Sequence, residues 1–342
     1  MLYYIILLYK MKVGIYAPVK NELRIIEFIN YYLKIGINYF IFFDDNSEIP
    51  LNEILLQNNI STDIFTIFDN SLINIHIPND IIKWKYCNKY IWLNIIYPIL
   101  LEQNIDYLLN IDADEFLYIS NKFNNNIQQM INNYYPVDSL KINWVLFGSN
   151  NLKINNTNSL INTFTKSNDC LSNIYKQLTK VSSIDLINGQ FYGPHCLSTV
   201  QNSITKNILN ELTEVTSFIE DTVNMYKYSD VDIYIAHYSC QDITTYVRRK
   251  LNNIIFLQTH CQHILINYTD ENINSINENI INNNDELIDY LWEKVNNISS
   301  NKSYTKLLLC IENFILDFFI SFYMNLNNNT KNNFDLVNII EK

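Results

Sequence analysis

The sequence predicts an α/β fold in which a mostly parallel sheet is flanked by helices. Apolar runs of strand length alternate with longer amphipathic stretches through the first half of the chain. The order strand, helix, strand over residues 12–17, 22–35 and 39–43 is that of a βαβ unit, whose two strands run parallel. With 342 residues, 48% of them hydrophobic and 17% charged, the chain can bury a large core, as one domain or as one domain with an appendage.

The predicted helix over residues 22–35 carries a single apolar stripe, as expected of a helix that packs on a sheet. The residues of this stripe are Ile25, Ile26, Ile29, Tyr32 and Leu33. Pro18 and Asn21 turn the chain from the first strand into the helix, with an N-terminal cap as the alternative role of Asn21. Gly36 is the predicted C-terminal stop.

A second helix is predicted over residues 84–102, where the same apolar stripe recurs. Pro98 lies inside it and should kink it, because proline has no amide hydrogen to donate. The apolar residues 105–111 form the next predicted strand, which leads directly into an acidic segment.

The acidic segment places Asp112 and Asp114 two residues apart. If the strand continues, both carboxylates point to one face and can converge on a Mg²⁺ or Mn²⁺ ion. Such an ion is commonly held by one or two carboxylates together with the phosphate oxygens of a substrate, so the implied partner is a di- or triphosphate. A solvated acidic turn is the alternative, since a bare Asp-x-Asp pair often occurs by chance.

The sequence offers no backbone cradle for that phosphate. The chain contains five glycines, and none forms a GxGxxG or GxxxxGK pattern. A metal ion and side chains would therefore have to neutralise the phosphate charge. In a parallel α/β sheet, three polar clusters would meet beyond the carboxyl ends of the strands, at residues 18–22, 44–47 and 112–115.

Composition and charge argue against several classes of protein. The net charge of −11, without a run of Lys and Arg, disfavours a nucleic-acid surface. The six cysteines lack Cys-x-x-Cys spacing, so reduced, buried thiols are expected rather than a zinc site or disulfides. Residues 1–9 are too short to span a bilayer, and Glu312 and Asp317 interrupt the apolar residues 307–323, so no transmembrane span is predicted and an intracellular, soluble protein is expected. Heavy use of Asn, Ile and Tyr is typical of an AT-rich genome, such as that of a large DNA virus or a protist.

Six short segments follow one another along the chain: KNE at residues 20–22, FDDNS at 43–47, IDADEF at 111–116, WVLFGSN at 144–150, GPH at 193–195 and HY at 237–238. Together they resemble the ordered motifs of nucleotide-sugar glycosyltransferases of the GT-A fold, in the family-2-like and family-92-like group. The match covers residues 12–255. It departs from the group at Asn151, which stands where a glycine is common, although Asn also adopts the left-handed backbone.

The resemblance implies roles for two groups of residues. The nucleotide-sugar pocket would be lined by Pro18, Lys20, Asn21, Glu22, Asp44, Asp45 and Asn46. Within it, Asp44 would contact the base or ribose, while Asp45 and Asn46 have an alternative reading as ordinary turn residues. The acceptor loop would contain Trp144, Gly148 and Ser149, with a place in the core as the alternative for Trp144.

The resemblance also implies a metal centre. Asp112 and Asp114 would hold a divalent cation, Mn²⁺ or Mg²⁺, that bridges the two phosphates of the donor and acts as a Lewis acid for the departing nucleoside diphosphate. His195 and His237 would complete the metal shell or contact that diphosphate. Glu115, grouped with the two aspartates as catalytic, would support the ligands or cap the following segment.

These inferences predict a metal-dependent glycosyltransferase, hexosyltransferase-like, that moves a sugar from a nucleotide-sugar donor to an acceptor hydroxyl on a glycan, glycoprotein or glycolipid. Inversion or retention stays open, as does the catalytic base, for which Glu220 and Asp221 are candidates by composition only. The alternatives are a metal-dependent nucleotidyltransferase and a non-catalytic sugar-binding or virion-interaction module of the same fold.

The predicted glycosyltransferase domain covers residues 11–270. A C-terminal helical extension is predicted over residues 282–342, and its apolar stripe would pack within the chain, pair with another subunit or rest on a membrane.

Overall fold

The structure is a computed structural model of the chain, in which the N-terminal two thirds are described with several gaps. The described residues are 11–22, 24–69, 71, 89–148, 150, 152–153, 159–189, 191–192, 195–215, 217–219, 223, 226–239, 241–242, 244–246 and 289.

Eleven strands occur among the described residues. They are β1 (Val13–Val19), β2 (Tyr39–Asp44), β3 (Phe65–Asp69), β4 (Tyr107–Asn110), β5 (Glu115–Ile119), β6 (Ser139–Leu146), β7 (Tyr175–Lys180), β8 (Phe191–Tyr192), β9 (Cys196–Leu197), β10 (Thr205–Lys206) and β11 (Ile233–His237). Nine of these form one sheet in the order β3-β2-β1-β4-β7-β6-β11-β5, with β10 beside β6, and β8 pairs with β9 separately.

Most neighbours in the large sheet run parallel. The parallel pairs are β1–β2, β1–β4, β2–β3, β6–β10 and β6–β11. Strand β7 runs against both β4 and β6, and β5 runs against β11. The expectation of an α/β fold with a mostly parallel sheet is therefore confirmed.

Besides four short 3-10 helices (Thr62–Ile64, Asn121–Phe123, Val181–Ser183 and Tyr228–Asp230), five helices accompany the strands in the described part of the chain. They are α1 (Ile25–Lys34), α2 (Leu51–Gln57), α3 in three consecutive segments (Lys89–Ile91, Trp92–Ile96 and Tyr97–Glu102), α4 (Ile127–Tyr134) and α5 (Leu160–Thr163).

The first βαβ unit matches the sequence prediction, except between its first strand and its helix. Strand β1 continues to Val19, so Pro18 belongs to the strand and not to the predicted turn. Helix α1 begins at Ile25 rather than Glu22, and its N-cap residue is Arg24, which makes no side-chain capping bond. Asn21 therefore does not cap the helix. At the other end Gly36 has a φ of 102°, a left-handed conformation that favours glycine, so the predicted stop is confirmed.

Helix α3 accommodates Pro98 by a wide turn. Its middle segment, Trp92–Ile96, is a π-helix, and the Tyr97 amide donates to the Trp92 carbonyl five residues earlier. Because Pro98 cannot donate and its ring crowds the preceding turn, a local change from α to π geometry relieves both problems. The helix ends at Glu102 as predicted, while residues 84–88 of the prediction lie outside the described residues.

The sheet is buried on both faces. On one face Phe28 and Tyr32 of α1 pack with Phe40, Phe42 and Phe116. On the other face the buried side chains of α3 pack with Tyr16 of β1 and with alternate residues of β2, Tyr39, Ile41 and Phe43. Since both faces are covered by helices, β1 and β2 read as continuous hydrophobic runs, as is usual for parallel strands.

The chain divides into two compact units. The first comprises Met1–Phe147 and Thr157–Ser239, and the second comprises Gly148–Asn156 and Cys240–Lys342. The predicted bounds at residues 270 and 282 lie outside the described residues and stay predictions. No helix of the described residues is long and apolar enough to cross a membrane.

The cysteine prediction holds only in part within the described residues. Cys170 and Cys196 are both free thiols. Cys196 is buried as expected, whereas Cys170 is exposed, so burial of every cysteine was wrong.

Candidate active site

Polar residues from five strands meet at one edge of the large sheet. The carboxyl ends of β1, β2, β4, β6 and β11 share this edge because these strands run in the same direction. The reversed strands β5 and β7 present their first residues there instead. Glu115 of β5 stands opposite His237 in the register of β5 and β11, and Gln177 of β7 stands opposite Asn110.

The two aspartates of the acidic segment lie in a turn rather than on a continued strand. Strand β4 ends at Asn110, and the Glu115 amide donates to the Asp112 carbonyl at 3.1 Å. In return the Asp112 amide donates to Glu115 Oε2 at 3.1 Å. The expected geometry of two carboxylates on one strand face was therefore wrong. The side chain of Asp112 is 32% exposed, whereas that of Asp114 is 2% exposed.

A buried lysine holds the first aspartate. Lys176 Nζ lies 2.7 Å from Asp112 Oδ2 and 3.5 Å from Glu115 Oε2, and the lysine side chain is 0% exposed. Sequence reasoning missed this residue. Lys176 is the second residue of an ordinary-looking strand, and only the antiparallel pairing of β7 with β4 and β6 brings it to the acidic turn.

The second aspartate and Glu115 lie beside His237. The Nε2 atom of His237 is 3.8 Å from both Asp114 Oδ2 and Glu115 Oε1, just beyond hydrogen-bond distance. Glu115 is fully buried, and its Oε1 atom accepts no hydrogen bond from the described residues. A buried carboxylate oxygen without a donor is uncommon and is a feature of sites that receive a ligand or a proton.

Burial also perturbs the acidity of Glu115. Desolvation raises the pKa of this carboxyl well above its usual value. The Lys176 ammonium opposes the shift, while the neighbouring charges of Asp112 and Asp114 add to it. The result is a carboxyl that holds a proton at a higher pH than a solvent-exposed glutamate does.

His195 reaches the same cluster through Trp144. The Trp144 ring lies 4.2 Å from the His237 ring and 5.2 Å from the His195 ring, and Lys176 Nζ lies 5.9 Å from its centroid. Trp144 is 8% exposed, so it packs within the cluster, and its role towards an acceptor stays a prediction. Burial, followed by the Lys176 charge, lowers the pKa of His195 to about 4, which leaves its imidazole neutral at pH 7.

The residues that follow β1 and β2 form a different kind of structure. Both carboxylate oxygens of Asp44 accept backbone amides, Oδ1 from Ser47 at 3.0 Å and Oδ2 from Leu51 at 2.9 Å. The Asn21 amide donates to Ser47 Oγ at 2.9 Å, and Asn21 Oδ1 accepts from the Glu48 amide at 2.7 Å. These bonds fasten the two loops to each other.

The remaining predicted pocket residues lie in or beside these loops. Lys20 and Asp45 form an exposed ion pair at 3.6 Å, and Asn46 has a φ of 55°. Glu22 accepts the Arg24 amide at 3.0 Å, and Pro18 lies half-buried near the end of β1.

The other predicted site residues belong to the second compact unit or lie outside the described residues. Gly148 belongs to the second compact unit. Outside the described residues are Ser149, Asn151, Gly193, Pro194, Glu220 and Asp221. The acceptor loop and the two acidic residues suggested as the base therefore stay predictions.

The predicted ligand set does not fit a divalent ion as it stands. The Oδ2 atom of Asp112 already carries the Lys176 ammonium at 2.7 Å. Within the described ranges, no group of three or more His, Cys, Asp or Glu side chains is arranged to hold a metal ion. Asp114 and His237 remain the closest oxygen and nitrogen pair among the four predicted ligands, at 3.8 Å.

No protein-family model matches the sequence, and no curated protein matches it either. Among solved structures, a mycobacterial protein known from its crystal structure resembles 40% of this chain with a TM-score of 0.26 and 10% sequence identity. The matched region spans 42% of that protein's own length, less than half of it. A likeness of this extent carries no argument about fold or function.

Proposed function

We propose that this protein is a glycosyltransferase that moves a sugar from a nucleotide-sugar donor to a hydroxyl group of a glycan, glycoprotein or glycolipid. The observation that carries the proposal is the meeting of Asp112, Asp114, Glu115, His195 and His237 at one edge of the sheet. These residues come from three motifs that lie far apart in the sequence, in the order in which the glycosyltransferase motifs occur.

The cluster offers the groups that glycosyl transfer requires. A departing nucleoside diphosphate gains negative charge, and neutral imidazoles can donate hydrogen bonds to its oxygens. An acceptor hydroxyl must lose a proton, and a carboxylate within hydrogen-bond reach serves as the base. Burial strengthens each of these interactions because the site has a lower effective dielectric constant than water.

The assignment within the cluster follows from exposure and charge. Neutral His195 and the neighbouring His237 suit the leaving diphosphate. Asp114, which is buried beside His237, suits the reacting end of the donor. A divalent cation, with Asp112 and Asp114 as its predicted ligands, stays a prediction, and the assay below tests it directly.

The test is a screen of the purified protein with UDP-, GDP- and CMP-sugars, in Mn²⁺ and in EDTA. We expect release of the nucleotide and transfer of the sugar with at least one donor. Substituting Asp114→Asn should lower this turnover by roughly 10²-fold, as for loss of one well-placed catalytic group. The matched control is Asp232→Asn, an exposed aspartate that pairs with Lys122 at the opposite edge of the sheet and should retain turnover.

Two other results would replace the proposal. Binding of a sugar or sugar nucleotide without turnover would identify a non-catalytic module. Incorporation of a nucleoside monophosphate into a product would identify a nucleotidyltransferase.

A further inference from the structure

The acidic turn contains a positive charge of its own. Lys176 is completely buried, and its ammonium contacts two of the three acidic side chains of the turn. Removing an ammonium from water costs several kcal/mol unless charged partners offset the loss. Asp112 at 2.7 Å is the partner that does so, which makes this ion pair part of the framework of the site.

The two carboxylate oxygens of Asp112 are not equivalent. Oδ2 receives the Lys176 ammonium from inside the protein, yet the Asp112 side chain is still one-third exposed. The exposed part of Asp112 is open to solvent, while its charge is already compensated by the buried ammonium. A diphosphate approaching the turn meets less negative charge than the sequence alone would indicate.

We infer that Lys176 is a resident counter-ion that takes on Asp112 the place expected for a divalent metal, and thereby lowers the dependence of nucleotide binding on metal. Lys176 is a positioning residue in this scheme, because it acts through Asp112 and is itself covered. The part of the inference that concerns nucleotide binding rests on the proposed function, whereas the part that concerns metal binding does not.

The inference makes two predictions of opposite sign for Lys176→Met. Without the ammonium, Asp112 regains an uncompensated charge and a free oxygen, so Mn²⁺ should bind the nucleotide-free protein more tightly. The same uncompensated charge repels phosphate, so UDP should bind more weakly in EDTA. We expect each of the two dissociation constants to change by roughly tenfold. This is the effect of one unit charge several ångströms away at an effective dielectric constant between those of protein and water.

The experiment is isothermal titration of the full chain, first with Mn²⁺ alone and then with UDP in EDTA or in Mn²⁺. Wild type should bind UDP in EDTA. Lys176→Met should require Mn²⁺ to recover that affinity, whereas Lys176→Arg should behave like wild type. The control Lys122→Met removes an exposed lysine with a similarly short carboxylate contact, 2.6 Å, and should change neither titration.

A second variant keeps the test decisive if Lys176→Met does not fold. Lys176→Gln removes the charge but keeps a donor for Asp112, so it should shift both titrations in the same directions as Lys176→Met. The inference is overturned if folded Lys176→Met binds Mn²⁺ no more tightly than wild type and binds UDP equally well in EDTA. If wild type binds none of UDP, GDP and CMP under either condition, the proposed function fails, while the Mn²⁺ titration still decides the role of Lys176.

Discussion

Two lysine–aspartate pairs lie on strands or loops that reach the same edge of the sheet, and they differ in almost every other respect. Lys20 and Asp45 are 3.6 Å apart with side chains 56% and 41% exposed. Lys176 and Asp112 are 2.7 Å apart with side chains 0% and 32% exposed. Water can solvate the first pair when it opens, but the second ammonium has only protein groups around it.

The contrast extends to the surroundings of each pair. In the loops after β1 and β2, polar side chains such as Asp44 bond to backbone amides and stabilise local turns. In the acidic turn, charged side chains face one another and at least one carboxylate oxygen has no donor. Groups held in this costly arrangement mark a functional site more reliably than polar groups that complete a loop.

The largest effect should come from removing the partner of the buried ammonium. We expect Asp112→Ala to lower the free energy of unfolding by about 3 kcal/mol, because it removes the 2.7 Å carboxylate contact of the buried Lys176 ammonium. The matching change in the loop pair, Asp45→Ala, should cost about 0.5 kcal/mol or less, as is usual for exposed ion pairs. Urea unfolding followed by circular dichroism measures both.

A double substitution sharpens this result. Asp112→Ala combined with Lys176→Met removes the stranded charge and should recover at least half of the stability lost in Asp112→Ala. If the double variant is less stable than either single variant, the ammonium is not the source of the cost.

The sequence supports the fold more fully than the site. Helix stripes and apolar strands are local patterns, and they are sufficient to predict the βαβ unit. The predicted stripe of α1 is right for Ile25, Ile29 and Tyr32, which are buried. It is wrong for Leu33, which is exposed, and it omits the buried Phe28.

The meeting of the acidic turn with His195 and His237 could be anticipated only from the order of the motifs. Lys176 could not be anticipated, since its position depends on long-range pairing of a reversed strand. The end of β4 at Asn110 was missed as well, because the apolar run continues to Ile111 while the strand pairing does not.

The buried cluster should also make the stability of the protein depend on pH, through His195. The folded-state pKa of His195 is lowered to about 4 from 6.5, so the folded protein binds fewer protons than the unfolded chain between these values. The stabilisation is present above pH 6.5 and is lost as the pH falls towards 4. Between pH 7 and pH 4.5, the free energy of unfolding should therefore fall by about 2 kcal/mol less in His195→Gln than in wild type.

Urea unfolding at the two pH values measures this difference directly. Comparing the variant with wild type removes the contribution of Glu115, whose raised pKa acts in the opposite direction and is present in both proteins. Parallel losses of stability in the two proteins would show that His195 is not the titrating group.

A smaller effect than that of Asp112→Ala is expected at Asp44. Loss of its two accepted amide bonds in Asp44→Ala should cost about 1 to 2 kcal/mol, comparable to the loss of a helix cap. Asp44→Asn keeps one acceptor and should cost about half as much. If instead Asp44→Asn leaves stability unchanged and weakens UDP binding, the predicted contact with the base or ribose is the better account of this residue.

The direction of strand β7 determines which side chain enters the acidic turn. Successive residues of a strand point to opposite faces, so a slip of β7 by one position would present Tyr175 or Gln177 instead of Lys176. The composition of the chain would be unchanged, yet the turn would lose its only contacting lysine among the described residues. A one-residue shift in the register of β7 would thus leave the acidic turn without this compensating charge, which makes strand alignment itself a determinant of charge.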